Sequence, residues 1–171
     1  GTPEWEREIA VAKGRSDIQN MVDIGADPVV KDNIVYVVSY QGRVAALELE
    51  TGTLIWDREL SSYAGLAVTD GAIFVPDSTG IMWALNRKTG EVLWKQSGLT
   101  GRRLTSPAIL SDFVVVGDDD GYLHWMSQHD GSFKGRILID SKGLEAVPIV
   151  KDNIVYVLSR GGKIAAISQN P

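Results

Sequence analysis

The sequence predicts an all-β fold: a β-propeller of four-stranded antiparallel blades, with about four blades' worth of strands. Three observations carry that prediction. The eleven residues from Ala46 to Trp56 return from Ala84 to Trp94 with a Thr-Gly pair and a tryptophan at the same offsets, Gly52 to Trp56 and Gly90 to Trp94. Two independent rulers give a period near forty: Gly42, Gly80, Gly121 and Gly162 are spaced 38, 41 and 41, and Asp32, Asp70, Asp112 and Asp152 are spaced 38, 42 and 40. Each period is filled with short β-branched runs punctuated by Gly, Asn and Asp, and no stretch shows helical periodicity. Forty-residue units that each read as a four-stranded meander are the signature of sheets stacked face to face around a propeller axis.

Taken in order, residues 1–10 read as an orphan outer strand, with Trp5 where a fourth strand's indole belongs. Residues 11–27 then form a connection of 17 residues, whereas 61–65 and 100–106 join the same kinds of element with 5 and 7. Loops that long are uncommon in compact domains and are usually functional. The segment is therefore the leading site candidate, and Asn20, Met21, Asp23, Ile24 and Asp27 mix apolar anchors with acids as a protein-docking surface does. The competing reading folds it back over the propeller and buries Ile18 and Met21.

The blades follow at 28–60, 66–99, 107–138 and 148–171, in a single fragment 1–171. In the first, strands are expected at 28–31, 34–39, 43–49 and 54–60, with turns at Asp32-Asn33, Gln41-Gly42 and Thr51-Gly52. Residues 34–38, Ile-Val-Tyr-Val-Val, are apolar at every position, which suits a strand covered on both faces. Residues 28–37 and 148–157 differ at one position, so the first and last blades specify the same environment.

Gly52, Trp56, Gly90, Trp94 and Trp5 read as blade-docking positions, each indole packing between adjacent blades with its N–H on a backbone carbonyl. The third unit departs from the rule: Gly135 stands where the indole belongs, four residues after Gly131, which leaves Phe133 as the expected filler of that junction.

Composition narrows the function. A net charge of −5, with no basic run beyond Arg102-Arg103, argues against nucleic acid as a partner. The absence of cysteine removes disulfides, thiolate nucleophiles and Cys-based zinc sites. Asp118-Asp119-Asp120-Gly121 fails as an EF-hand loop, because Val116 would stand first and Ser127 twelfth; it reads as a hairpin turn. His124 and His129, the two histidines, lack metal-ligand spacing, and no nucleophile elbow or phosphate-cradling loop is found. No catalytic site, metal or cofactor is expected. No apolar run approaches the roughly 18 residues of a membrane span.

Thr105-Ser106-Pro107, then Val115-Val116-Gly117-Asp118, then Gly121-Tyr122-Leu123-His124-Trp125 resembles the signature of the BamB family, propeller lipoproteins of the outer-membrane β-barrel assembly machinery. The resemblance runs the length of the chain and includes Asp57-Arg58-Glu59-Leu60 and Leu93-Trp94-Lys95-Gln96-Ser97. It implies the C-terminal half of an eight-bladed propeller at the periplasmic face of the outer membrane, attached to the membrane only through a lipid anchor that is not among these residues. It also implies a non-catalytic scaffold that binds the POTRA region of BamA and assists delivery of unfolded outer-membrane protein clients. The family's acidic contact loop, two aspartates two apart before a core strand, falls within 11–27: Asp23 matches the first, Gly25 stands at the second, and Asp27 is the nearby substitute.

Quinoproteins share the Thr-Gly-x-x-x-Trp element, so a PQQ-type dehydrogenase fragment is one alternative, although their vicinal cysteine pair is missing here; a ligand-sensing propeller is another. Four blades in an open arc would leave an apolar face and an unpaired strand at the ends. Closure is expected as a homodimer of half-propellers or as one ring of four, and blade twist tuned for eight favours the dimer. Read from end to start, Ala166, Gly1 and Trp5 reproduce the repeat spacing, so residues 2–10 are expected to pair with 163–168.

Overall fold

The computed structural model describes residues 1–7, 9, 26–40 and 42–168. They form four antiparallel sheets, each a meander in which neighbours in sequence are neighbours in space. The first holds β1 (Val29–Lys31), β2 (Ile34–Val38), β3 (Arg43–Glu48) and β4 (Leu54–Glu59); the second β5 (Ala67–Val68), β6 (Ala72–Pro76), β7 (Met82–Asn86) and β8 (Val92–Gln96). The third holds β9 (Ala108–Leu110), β10 (Phe113–Gly117), β11 (Tyr122–Ser127) and β12 (Phe133–Leu138), and the last β13 (Ile149–Lys151), β14 (Ile154–Leu158) and β15 (Ile164–Ser168).

Turn chemistry sets these boundaries. Asp32 and Asn33 both take positive φ, 48° and 61°, between β1 and β2, and Asp152 and Asn153 repeat this at 51° and 61°. Two left-handed residues in a two-residue hairpin turn match the right-handed twist of the strands, and Asp and Asn tolerate that region best after glycine. In each four-stranded sheet except the third the outer hairpin carries a register shift beside the inner alanine, at Ala46/Leu47 and Ala84/Leu85; in the third it falls at Trp125/Met126.

The core lies between the sheets. Tyr36, Val38, Val44 and Ala46 pack against Ile73, Val75 and Leu85; Phe74, Met82 and Ala84 against Val114, Val116 and Met126; Leu110, Val115 and Leu123 against Val155 and Val157. Middle strands touch a sheet on each side, hence the uninterrupted apolar run of 72–76, buried at every position.

The tryptophans stitch successive sheets along one rim. Trp56 donates its indole N–H to Arg87 O at 3.0 Å, Trp94 to Gln128 O at 2.8 Å, and Trp5 to Leu49 O at 2.9 Å. Each ring lies so close over the turn glycine of the next blade that a Cβ on Gly90, Gly131 or Gly52 would stand 2.6, 2.5 or 2.5 Å from ring carbon.

The third junction corrects one expectation. Phe133 lies over Gly98 on the opposite side, its ring 6.0 Å from that of His124. The filler is Trp125 on β11, which pairs with Gly135 across the ladder and packs against the core shared with the last sheet. In the first two sheets the same cross-strand pair is Ala46 with Trp56 and Ala84 with Trp94. The third blade exchanges the partners: the large residue moves to the inner strand and the small one to the outer.

Residues 1–7 differ from expectation as well. They have no ladder partner, and β15 pairs with β14 alone. The expected pairing of 2–10 with 163–168 is therefore not made within the chain among the described residues; what holds the start of the chain is the Trp5 staple on the first blade.

Candidate docking rim

A meander sends alternate connections to opposite edges of its sheet. The turns β1–β2 and β3–β4 lie on the stapled rim, while the β2–β3 turn and the passage from one blade to the next lie on the other. That second rim is continuous. Ser62 N donates to Ser39 O at 3.3 Å, Ser78 N to Ser61 O at 2.8 Å, Gly101 N to Thr79 O at 2.8 Å, Asp119 N to Arg103 O at 3.1 Å and Arg160 N to Gly143 O at 2.9 Å, linking all four blades.

The described end of the 11–27 segment, Ala26 and Asp27, lies on this rim. Ala26 packs on the first interblade core and faces Gly65, where a Cβ would stand 3.5 Å from its own; Gly65 N donates in turn to Ser106 Oγ at 2.6 Å. Asp27 is exposed. Asn20, Met21, Asp23 and Ile24 lie outside the described residues.

Beside that landing point stands a group the sequence reading missed. Tyr40, from the β2–β3 turn, and Tyr63, from the passage to the second blade, stack with centroids 4.0 Å apart and planes 22° from parallel. Arg103 places its guanidinium 5.6 Å from the Tyr63 centroid, and Tyr63 is 47 % exposed. A cleft of about 300 Å³ opens between Tyr63, Pro76, Arg102, Leu104 and Asp119. Tyr and Arg with part of their surface in water are what protein-docking hot spots are made of. Their only sequence signal was position, since each lies in a connection rather than a strand.

The acidic run 118–120 is a turn with internal partners. Asp118 is fully buried; its carboxylate accepts from Tyr122 N at 2.8 Å and meets His124 Nε2 at 2.8 Å, and it is ion-paired with Arg102, which also reaches Asp120 at 2.8 Å. Burial alone would raise this carboxyl's pKa. The hydrogen bonds from His124, Tyr122 N–H and Arg102 outweigh that and hold it below the usual carboxylate range.

The family model of the outer membrane protein assembly factor BamB matches residues 1–96. The assembly factor BamB of Pseudomonas aeruginosa is 43 % identical over 166 residues, which is 97 % of this chain and 44 % of that protein. The crystal structure of BamB from Moraxella catarrhalis superposes with a TM-score of 0.90 at 32 % identity, covering 97 % of this chain and 49 % of that one. The quinohemoprotein alcohol dehydrogenase of Comamonas testosteroni is a more distant likeness, with a TM-score of 0.59 at 25 % identity over 67 % of this chain. The chain thus spans just under half the length of the relatives that match it along nearly all of its own. With its stacked antiparallel sheets, its indole staples and a family match over more than half its residues, the chain belongs to the BamB family of outer membrane protein assembly factors.

Proposed function

We propose that this chain is part of a non-catalytic scaffold that assists assembly of outer-membrane proteins from the periplasmic side of the outer membrane, where a lipid anchor elsewhere in the whole protein holds it. On this reading the rim carrying the 11–27 segment binds the POTRA region of BamA and helps present unfolded clients. The observation that carries it is the Tyr40–Tyr63–Arg103 stack on the rim where Ala26, the described end of that segment, packs against Gly65 and is followed by the exposed Asp27. Acids at the edge of an aromatic–guanidinium platform give an apolar centre with a charged border, the arrangement that excludes water from a hot spot and fixes orientation.

The test is calorimetric titration of the BamA POTRA region into the wild-type chain, Asp23→Arg and Tyr63→Ala. Both variants should weaken binding about tenfold or more, with an unchanged melting temperature for Tyr63→Ala, whose side chain is half exposed. Unchanged affinity for both would remove the rim from the interface. If the wild-type chain binds no POTRA protein but reduces a dye when given pyrroloquinoline quinone, the dehydrogenase reading replaces this one.

A further inference from the structure

The second and third blades carry the same local circuit with the ring and the cation exchanged. In the second, Asp77 opens the β6–β7 turn and accepts the indole N–H of Trp83 at 2.8 Å, and Lys95, opposite Trp83 on β8, lies 5.8 Å from that ring. Forty-one residues later Asp118 opens the next turn, His124 replaces the indole, and Arg136 stands opposite on β12. The acid, its hydrogen bond and the facing cation are all kept. The cation passes from Lys to Arg, and the ring becomes smaller.

That change leaves space. Where the second blade is filled by Trp83, the third has a cleft of about 420 Å³ lined by Gly98, Leu99, His124, Phe133, Lys134 and Arg136. Gly135, which bears no side chain, completes the wall, and a Cβ there would meet nothing within 4 Å. His124 is 1 % exposed; its Nε2 is held by the buried Asp118 carboxylate, and its Nδ1 takes no hydrogen bond among the described residues. Asp118 also fixes the ring's orientation, so that the imidazole forms a set wall of the cleft.

Arg136 stacks 5.0 Å from the Tyr122 centroid, a contact that keeps its guanidinium flat, and Lys134 stands beside it on the exposed outer strand. Phe133 and Leu99 supply the apolar side. We propose that this cleft is a binding site for an oxyanion, carboxylate or phosphate, carried on a small apolar body. Arg136 and Lys134 hold the oxygens, His124 walls the cleft on its buried side, and Phe133 covers the body. The site is distinct from the docking rim and does not depend on that reading.

The test uses 3-phenylpropionate and phenyl phosphate as probes, with 3-phenylpropanol as the neutral counterpart, titrated into the isotopically labelled chain. Saturable shifts at the His124 ring nitrogens and the amides of 133–136 are expected with at least one anion below about 20 mM, and at least fivefold weaker with the alcohol. The tighter anion identifies the headgroup. His124→Trp copies the second blade, keeping the N–H for Asp118 while filling the cleft; it should abolish the shifts without unfolding the protein. Should that variant misfold, Arg136→Gln, on the exposed strand, is expected to weaken the anion at least fivefold. The proposal is overturned if neither anion gives saturable shifts, if the alcohol binds as tightly, or if Arg136→Gln binds like wild type.

Discussion

Each stapling indole does two things at one residue: its ring covers the turn glycine of the next blade, and its N–H satisfies the carbonyl three positions before that glycine, Leu49, Arg87 or Gln128. The glycine is needed twice over. Gly90 has φ 71°, and a Cβ there would also strike the Trp56 ring at 2.6 Å. Trp56→Ala should therefore cost about 3 kcal/mol in urea unfolding, from lost packing and an orphaned carbonyl. Gly90→Ala should cost about 2 kcal/mol from backbone strain and a displaced ring. A Gly90→Ala variant as stable as wild type would mean that the ring is not seated there. The Gly-to-Trp offset was legible because it recurs; the accepting carbonyl was not, since no side chain marks it.

At the same scale, Asp118 makes a pH prediction. Its native pKa lies below the ordinary value, so its contribution is present above roughly pH 4 and disappears as pH falls through the native value. Stability should drop below about pH 4 in the wild type. Asp118→Asn should be less stable by about 2 kcal/mol at pH 7 and show a flatter acid limb, measured as urea midpoints between pH 7 and 3. An acid limb of unchanged slope would assign the acid sensitivity to other carboxylates.

Among the elements, the exchanged pair of the third blade is the most informative. Trp125 sits six residues before Gly131, as Ala46 does before Gly52, and Gly135 sits four after, as Trp56 does. The exchange was thus written in the sequence, but reading it needs the cross-strand register, in which one indole serves the same junction from either strand. Repeat spacing alone showed only the vacancy at Gly135. Trp125→Ala and Gly135→Trp should each destabilise the protein, and the double variant, which restores the pattern of the first two blades, should recover at least about 1 kcal/mol relative to their sum. Additive losses would show that the two positions do not share one space. The inner hairpins were legible for a different reason, since the Asp-Asn turns carry their own backbone preference. Asn33→Gly should keep that turn and raise stability by about 0.5 kcal/mol.

At the scale of the whole molecule, the repeats act as their own control. Val38 and Val44 of the first blade, facing the second, are 4 % and 0 % exposed, whereas Leu158 and Ile164 at the matching places of the last are 49 % and 73 % exposed. The last sheet therefore presents to solvent the face that its predecessors bury, beside the edge of β15, which has no strand partner among the described residues. Such a surface favours association. Light scattering should show masses above the 18.6 kDa of one copy that rise with concentration, and Leu158→Lys with Ile164→Lys should abolish the rise. A monodisperse 18.6 kDa species at every concentration would contradict this. The propeller class followed from periodicity, which is local in sequence. The docking rim did not, because Tyr40, Tyr63 and Arg103 meet only when three connections from different blades are brought to one edge.

On the proposed function the two rims divide the work, one stapled by indoles and the other presented to the partner. The direct test is calorimetric titration of the BamA POTRA region against charge reversals on each rim: Asp27→Arg with Arg103→Glu on the loop rim, Glu50→Arg with Lys88→Glu on the stapled rim, all four residues being exposed. The loop-rim pair should lose about tenfold or more in affinity, while the stapled-rim pair should stay within about twofold of wild type. Equal losses on the two rims, or a larger loss on the stapled one, would contradict the account.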